Sequence, residues 1–363
     1  MSDDRCTPGD QPTAADDYDQ TGSYVTKGEA FTRDMNYIST RITRDGEDGF
    51  SVQPGRYRLI VSRACPWAHR AIIVRRLLGL EDAISMGIAG PTHDARSWTF
   101  DLDPDGKDPV LGIERLQDAY FARDPDYPRG ITVPAIVDTE DGAVVTNDFD
   151  QITRDLAAEW GRFHRRGAPA LWPDDPAVLA EMEELMAFIL HSVNNGVYKA
   201  GFAGSQGAYD AAYRELWDAL DVLEERLSEH RYLMGPSITE ADVRLFPTLI
   251  RFDPVYYSHF RCNRQTLQSM PNLSEYVKDL FQTPGFGDTV DFQHIKEHYF
   301  VVHTDLNPTQ IVPQGPDMGW LLEPHHRDRF VTRTWGENGS APRAPRAGET
   351  VDAAHTPLGT RER

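Results

Sequence analysis

The residues whose types and spacing best suit catalysis lie in the segment Ser62-Arg-Ala-Cys65-Pro-Trp-Ala-His-Arg70. A run rich in β-forming residues precedes Cys65, and apolar residues at helical spacing follow it as far as Leu80. Cys65 is therefore predicted to lie where a strand ends and a helix begins. The unpaired amides and the dipole of a helix start favour a thiolate over a thiol. Pro66 suits the first helical turn because its missing N–H would have no helical partner there.

A thiolate in this position would be a nucleophile at neutral pH, and His69 and Arg70 can add positive charge beside it. Position 68 is Ala68, so Cys65 cannot close its own disulfide as a Cys-x-x-Cys oxidoreductase does. We expect Cys65 to form a mixed disulfide with another molecule, which an external thiol then resolves. The alternative is that Cys65 is a buried and unreactive cysteine.

A second candidate feature is Thr132-Val133-Pro134, at the start of a predicted strand. A proline in a strand position needs a structural reason. In thioredoxin-like folds such a proline is cis and faces the cysteine. The backbone N–H and C=O of Val133 would then pair with a thiol ligand as an added strand would.

The elements that must position these residues form a βαβ unit, then a ββα unit, then helices alone. Strands are predicted at 56–62, 83–90, 132–138 and 142–146, with helices at 65–80 and 148–160. Later patterns are all helical: 175–195, 208–230, a helix capped by Thr239, and 271–282. We therefore expect an α/β domain at 56–165 and an all-α domain at 170–325. Residues 1–55 are predicted to form an extended polar arm, and residues 326–363 a largely disordered tail.

Composition narrows the possible functions. The 363 residues suit about two domains, and the 37 basic against 57 acidic residues give a net charge of −20, which would repel nucleic acid. No stretch approaches the roughly 18 apolar residues of a membrane helix, and the N-terminus lacks the pattern of a signal peptide. We expect a cytoplasmic protein. Cys6 has no predicted role and Cys262 is predicted to be structural. Neither the cysteines nor the histidines at 294, 298 and 303 show the spacing of a metal site.

The chain resembles the glutathionyl-hydroquinone reductases, which are the Xi class of glutathione transferases. That family has a thioredoxin-like domain followed by a helical domain. The resemblance spans about residues 25 to 325 and rests on the following segments: Cys65-Pro-Trp-Ala-His-Arg70, Asn194-Asn-Gly-Val-Tyr-Lys-Ala-Gly-Phe202, Ile238-Thr-Glu-Ala-Asp-Val-Arg-Leu-Phe246, Arg251-Phe-Asp-Pro-Val-Tyr256, His259-Phe-Arg-Cys-Asn263, His294-Ile-Lys-Glu-His-Tyr299 and Asn307-Pro-Thr-Gln-Ile-Val-Pro313.

The resemblance implies a reductase that removes a low-molecular-weight thiol from a thiol–hydroquinone conjugate, without a metal, as a homodimer. Cys65 matches the nucleophile, and Tyr198 and Tyr299 match tyrosines that line the hydroquinone pocket. The choice of Tyr299 depends on one position, because the family often has two adjacent tyrosines and the next residue here is Phe300. The residues implied in thiol binding are Pro66, Trp67, Trp98, Val133, Pro134, Asp148 and Phe149.

One departure from the family pattern concerns the thiol itself. Members that use glutathione carry Glu-Ser where this chain has Asp148-Phe149, and the serine hydroxyl and helix start hold the γ-glutamyl carboxylate. Phe149 cannot donate a hydrogen bond, and Asp150 adds negative charge. We therefore expect mycothiol, or another thiol without that carboxylate, rather than glutathione. Thiol conjugation to electrophiles, glutaredoxin-like thiol transfer and a non-catalytic interaction module are the alternative functions.

Overall fold

The α/β domain is built on a four-stranded sheet in a computed structural model that describes residues 31, 38–94, 96–127, 130–333, 335 and 339–343. The strands lie in the order β4 (Ser85–Ala89), β3 (Tyr57–Ser62), β5 (Ala135–Asp138) and β6 (Val144–Thr146). Strand β3 pairs parallel with β4, with Arg58 opposite Ser85, and antiparallel with β5, with Leu59 opposite Ile136. This is the mixed sheet that consecutive βαβ and ββα units produce, and it confirms the predicted thioredoxin-like domain.

The strands and helices follow the chain in this order: β1 (Ile42–Thr43), β2 (Phe50–Ser51), β3 (Tyr57–Ser62), α1 (Pro66–Leu78), β4 (Ser85–Ala89), α2 (Gln117–Arg123), β5 (Ala135–Asp138), β6 (Val144–Thr146), α3 (Phe149–Ala158), α4 (Pro176–Phe188), α5 (Gly196–Gly201), α6 (Gln206–Glu229), α7 (Glu240–Ile250), α8 (Pro271–Gln282) and α9 (Phe292–Glu297). Three π-helical turns interrupt the later helices, at Ile189–Asn194, Phe252–Tyr256 and His298–Val302. Within the described residues, helices alone follow β6, as the sequence predicts.

Helix α1 carries the candidate nucleophile at its start and is buried along its whole length. One side packs against β3 and α3, and another against α7 of the helical domain. The helix ends at Gly79, whose left-handed backbone (φ 72°) directs its N–H to the carbonyls of Arg75 and Arg76. Because both domains cover α1, its polar side chains must find partners inside the protein.

Two of the differences between predicted and observed element boundaries have a clear local reason. Strand β5 begins at Ala135 instead of residue 132, because Pro134 has no N–H for the ladder. The helix predicted over 175–195 is α-helical only to Phe188 and continues as a π-helical turn to Asn194. The segment 103–128, whose conformation the sequence does not indicate, contains the short helix α2.

The two ends of the chain lie partly outside the described residues. Residues 1–30 and 32–37 of the predicted arm, with Cys6, and residues 344–363 of the predicted tail fall outside them. Beyond residue 325, Arg327 is fully buried and donates to the carbonyls of Leu227 and Arg231 at 3.0 and 3.1 Å. The chain therefore still packs against the helical domain at this point. No described helix combines the length and the apolar character needed to cross a membrane.

Candidate active site

Cys65 lies at the N-terminal end of α1, half-buried, with its backbone carbonyl accepting the first helical hydrogen bond from the His69 N–H at 3.0 Å. Its thiol donates to the Val133 carbonyl oxygen, with 3.4 Å between Sγ and O. The Val133–Pro134 peptide bond is cis. The structure thus brings the predicted nucleophile against the predicted main-chain thiol contact, and we call Cys65, Val133 and Pro134 the thiol site.

His69 does not provide the positive charge that its place in the sequence suggests. Its Nδ1 accepts from the Arg251 guanidinium at 3.1 Å, so its proton is on Nε2, which donates to Thr289 Oγ1 at 2.7 Å. Burial, together with the charge of Arg251, lowers the pKa of His69 well below its ordinary value. His69 is therefore neutral, and the expectation of charge on it was wrong.

A different cation, Arg251, stands behind the thiol site. Its fully buried guanidinium donates from Nε to the Ala64 carbonyl at 3.0 Å and from NH2 to the Arg63 carbonyl at 2.9 Å. The sequence indicated Arg251 only as part of a segment that matches the family pattern. The available signal was an arginine set among apolar residues at the end of a helix, in Leu249-Ile-Arg-Phe252.

Trp67 and Phe149 form one wall beside the thiol site. Their ring centroids are 4.8 Å apart, and the Arg70 guanidinium lies 4.5 Å from the Trp67 ring centroid. Phe149 is 4% exposed and occupies the position at which the family pattern has a serine. Asp148 caps α3 by accepting from the Gln151 N–H at 3.1 Å. The start of α3 is thus already occupied by groups of this chain.

Asp150 contributes less repulsion than the sequence suggests. Its Oδ1 lies 3.2 Å from Arg70 NH1 and 2.9 Å from Arg244 NH1. Two guanidinium groups therefore offset its charge. The case against a bound γ-glutamyl carboxylate therefore rests on Phe149.

Tyr198, Tyr256 and Tyr299 join their hydroxyl groups in what we call the tyrosine cluster. The Tyr299 hydroxyl lies 2.6 Å from that of Tyr198 and 2.9 Å from that of Tyr256, and all three side chains are buried. Two π-helical turns carry Tyr256 and Tyr299, and the third ends just before α5, which carries Tyr198. Burial raises the pKa of Tyr256 well above its ordinary value, so it stays a hydrogen-bond donor. The sequence-based prediction missed Tyr256.

The tyrosine cluster adjoins the thiol site through Trp67, whose ring centroid is 6.4 Å from that of Tyr198. The arm residue Phe31 stacks on the other side of Tyr198 at 5.9 Å. A thioether whose sulfur lies at Cys65 could therefore place its aromatic ring toward these phenols.

Trp98 is held by the helical domain. Its ring stacks on His298 at 5.3 Å, and His298 Nδ1 donates to the Pro91 carbonyl at 2.9 Å. Burial lowers the pKa of His298 to about 3, so the ring is neutral at physiological pH. His298 also meets Tyr299 edge to face at 5.4 Å. Trp98 thus lies on the side of the site that includes the last π-helical turn, and its contact with a thiol stays a prediction.

Metal binding finds no support in the part of the chain that the structure describes. No group of three or more His, Cys, Asp and Glu side chains there has the geometry to hold an ion. The buried His259 and His303 lie near Phe300, with 3.4 Å between His259 Nε2 and His303 Nδ1. Burial lowers the pKa of His259 to about 4 and that of His303 well below its ordinary value. Both are neutral parts of the packing.

A thioredoxin-like domain followed by a helical domain that packs on its first helix is the architecture of the glutathione transferase class. Residues 64–159 match the family model of the glutathione S-transferase N-terminal domain, and residues 206–279 match that of the C-terminal domain. A glutathione transferase from Gordonia bronchialis has a solved structure with 61% identity and a TM-score of 0.86, covering 88% of this chain and 98% of that one.

Two further relatives narrow the class. The glutathionyl-hydroquinone reductase YqjG of Escherichia coli is 42% identical over 84% of this chain and 95% of its own length. The structure of an Xi class glutathione transferase from Natrialba magadii has 37% identity and a TM-score of 0.78, covering 85% of this chain and 98% of that one. The chain belongs to the glutathionyl-hydroquinone reductases, the Xi class of glutathione transferases.

Proposed function

We propose that this protein is a thiol-dependent reductase that removes a low-molecular-weight thiol from thiol–hydroquinone thioethers, with Cys65 as the nucleophile. The observation that carries the proposal is the position of the Cys65 thiol, at a helix start and 3.4 Å from the Val133 carbonyl, beside the buried tyrosine cluster. The Escherichia coli relative is named as a glutathionyl-hydroquinone reductase, which agrees with the proposal. The same site also fits the requirement for an external thiol, since position 68 is alanine.

The proposed reaction has two steps that balance. The Cys65 thiolate attacks the sulfur of the thioether, the S–S bond forms and the carbon–sulfur bond breaks. The step takes place on the keto tautomer of the conjugate, in which a hydroxyl proton has moved to the ring carbon that bears sulfur. The electron pair of the broken bond passes to the carbonyl oxygen, and the resulting phenolate takes up one proton and leaves as the free hydroquinone. A second thiol molecule then attacks the mixed disulfide as its thiolate, giving up one proton, and departs as a disulfide while Cys65 returns as a thiolate. In the net reaction the conjugate is reduced to the hydroquinone, and the thiol it carried and the second thiol are joined as one disulfide.

Tyr198 and Tyr299 would act on the ring oxygens. Negative charge reaches these oxygens as the carbon–sulfur bond breaks, and phenols that remain protonated can donate to them. Because the tyrosine cluster is buried, these hydrogen bonds would form away from bulk water, where each is electrostatically stronger. Pro66, Trp67, Trp98 and Val133 would form the walls that hold the thiol part.

We further propose that the thiol is mycothiol rather than glutathione. Phe149 stands where glutathione-using members have a serine, so a γ-glutamyl carboxylate would meet an apolar ring in place of a hydroxyl donor. A cysteinyl sugar lacks that carboxylate and would instead present hydroxyl groups, for which Asp148 is an acceptor. Glutathione is the competing candidate, because a glutathione-bound structure exists for the Escherichia coli relative, with 41% identity to this chain.

Intact-protein mass spectrometry tests the proposal directly. The reduced protein is mixed with glutathionyl and mycothiolyl conjugates of one hydroquinone in parallel, and the released hydroquinone is measured by chromatography. We expect one thiol mass to be added at Cys65 together with release of the hydroquinone, faster for the mycothiolyl conjugate.

Two cysteine variants serve as controls. Cys65→Ala should abolish both signals, whereas Cys262→Ala should leave them unchanged, since burial raises the pKa of the Cys262 thiol far above its ordinary value. No adduct with either conjugate would refute the reductase mechanism and favour an interaction module. The predicted homodimer is tested separately by light scattering in solution.

A further inference from the structure

Arg251 is a buried cation at the junction of the two domains. Its side chain is fully buried at the end of α7, and it makes four hydrogen bonds. Two go to the carbonyls of Arg63 and Ala64, which directly precede Cys65, at 2.9 and 3.0 Å. The others go to His69 Nδ1 at 3.1 Å and to the Pro247 carbonyl at 2.8 Å. A residue of the helical domain thereby fixes the loop that leads into the thiol site.

The charge of Arg251 has no carboxylate partner within ion-pair distance among the described residues. On α1 it faces the neutral His69, and in the loop before Cys65 it faces Arg63, which is itself a cation 3.8 Å from Asp291. Asp253, on the adjoining π-helical turn, directs its carboxylate to the N–H groups of Leu267 and Gln268. Carbonyl dipoles therefore provide most of the compensation, which leaves the buried charge costly until an anion comes near.

Both reacting ends of the site lie near this charge. The Ala64 carbonyl that accepts from Arg251 belongs to the peptide that joins Ala64 to Cys65. On the other side, the charge of Arg251 acts on Tyr256 and His298, and Tyr256 bonds to Tyr299 at 2.9 Å. A negative charge on the Cys65 sulfur, or later on a ring oxygen at the tyrosine cluster, would offset the cost of burying Arg251.

We propose that Arg251 is the positioning residue of this site: it holds the Cys65 loop by two carbonyls and provides the positive charge that favours both the thiolate and the hydroquinone oxyanion. This inference rests on the proposed reductase function.

The test compares arginine variants of two buried sites. Arg251→Met removes both the positive charge and the guanidinium donors. Arg251→Lys retains a positive charge, but its single ammonium group cannot donate to both carbonyls in the same geometry. Arg327→Met is the matched control. Arg327 is also fully buried and also donates to main-chain carbonyls, but these belong to Leu227 and Arg231 and not to the loop before Cys65. Alkylation of Cys65 by iodoacetamide is followed by mass spectrometry across pH 5 to 9, beside the melting temperature and the turnover of the conjugate.

We expect both methionine variants to melt at lower temperature, whereas only Arg251→Met alkylates slowly, about tenfold below the wild type at pH 7. Arg251→Lys should lower the alkylation rate less than Arg251→Met does, but it should lower kcat at least tenfold relative to the wild type. If Arg251→Met does not fold, the lysine variant still decides the test. Wild-type alkylation rates in both Arg251 variants, or equal losses in Arg327→Met, would overturn the inference. An unreactive Cys65 in the wild type would instead refute the proposed function itself.

Discussion

Replacing Phe149 by serine should move the preference of the enzyme toward glutathione conjugates. The substitution puts a hydroxyl at the first position of α3, where the N–H groups of the helix start also point. The ring that is removed is 4% exposed and lies 4.8 Å from Trp67 and 5.5 Å from the Arg70 guanidinium. The same change therefore creates a donor for a carboxylate and opens the space in which that carboxylate would lie.

The substitution changes two free energies, that of folding and that of binding the transition state. Truncating a buried phenylalanine costs about 3–5 kcal/mol of folding free energy, and the low end applies because the new space borders the site and admits water. A hydrogen bond to a charged carboxylate contributes about 1.5–3 kcal/mol, which is about 10- to 150-fold in kcat/KM. Because water in the new space competes for the serine hydroxyl, we expect a gain at the low end of this range, about tenfold, for the glutathionyl conjugate.

The assay is kcat/KM for glutathionyl and mycothiolyl conjugates of the same hydroquinone, each with its own thiol as the reductant. Phe149→Leu is the matched control, since it opens part of the same space without adding a donor. The reasoning is refuted if the wild type already prefers the glutathionyl conjugate, or if the serine and leucine variants change the ratio of the two substrates equally.

Two further predictions concern the tyrosine cluster and the buried histidines. Tyr256→Phe removes a hydroxyl that lies 2.9 Å from that of Tyr299, and it should lower kcat about three- to tenfold while the alkylation rate of Cys65 stays unchanged. Tyr57→Phe is the control, since it loses a hydrogen bond to a main-chain carbonyl and should leave kcat unchanged. Equal effects of the two substitutions on kcat would contradict a role for the tyrosine cluster. Burial lowers the pKa of His259 to about 4, so below about pH 6.5 the unfolded chain binds a proton that the folded chain does not. Stability from this group is complete above pH 6.5 and is lost as the pH falls toward 4, by up to about 1.4 kcal/mol per pH unit; His259→Gln should flatten the dependence of melting temperature on pH, and an unchanged slope would contradict the shift.

Local signals in the sequence determined the placement of the nucleophile. A β-forming run before Cys65 and a proline directly after it were sufficient to place Cys65 at the strand–helix junction without knowledge of any distant residue. The hairpin of β5 and β6 and the capping box of Thr239 and Asp242 are equally local. Such features depend on the backbone preferences of a few consecutive residues, which is why a single sequence predicts them.

Only the tertiary structure decided which groups surround the sulfur. Arg251 bonds to His69 across 182 positions, and Tyr198 meets Tyr299 across 101, so neither contact has a signature in local spacing. The neutral state of His69 depends on burial beneath α7 and on the charge of Arg251, whereas its neighbours in sequence suggested a cation. Protonation and charge are set by desolvation and by nearby charges, and both depend on how the two domains pack rather than on residue type.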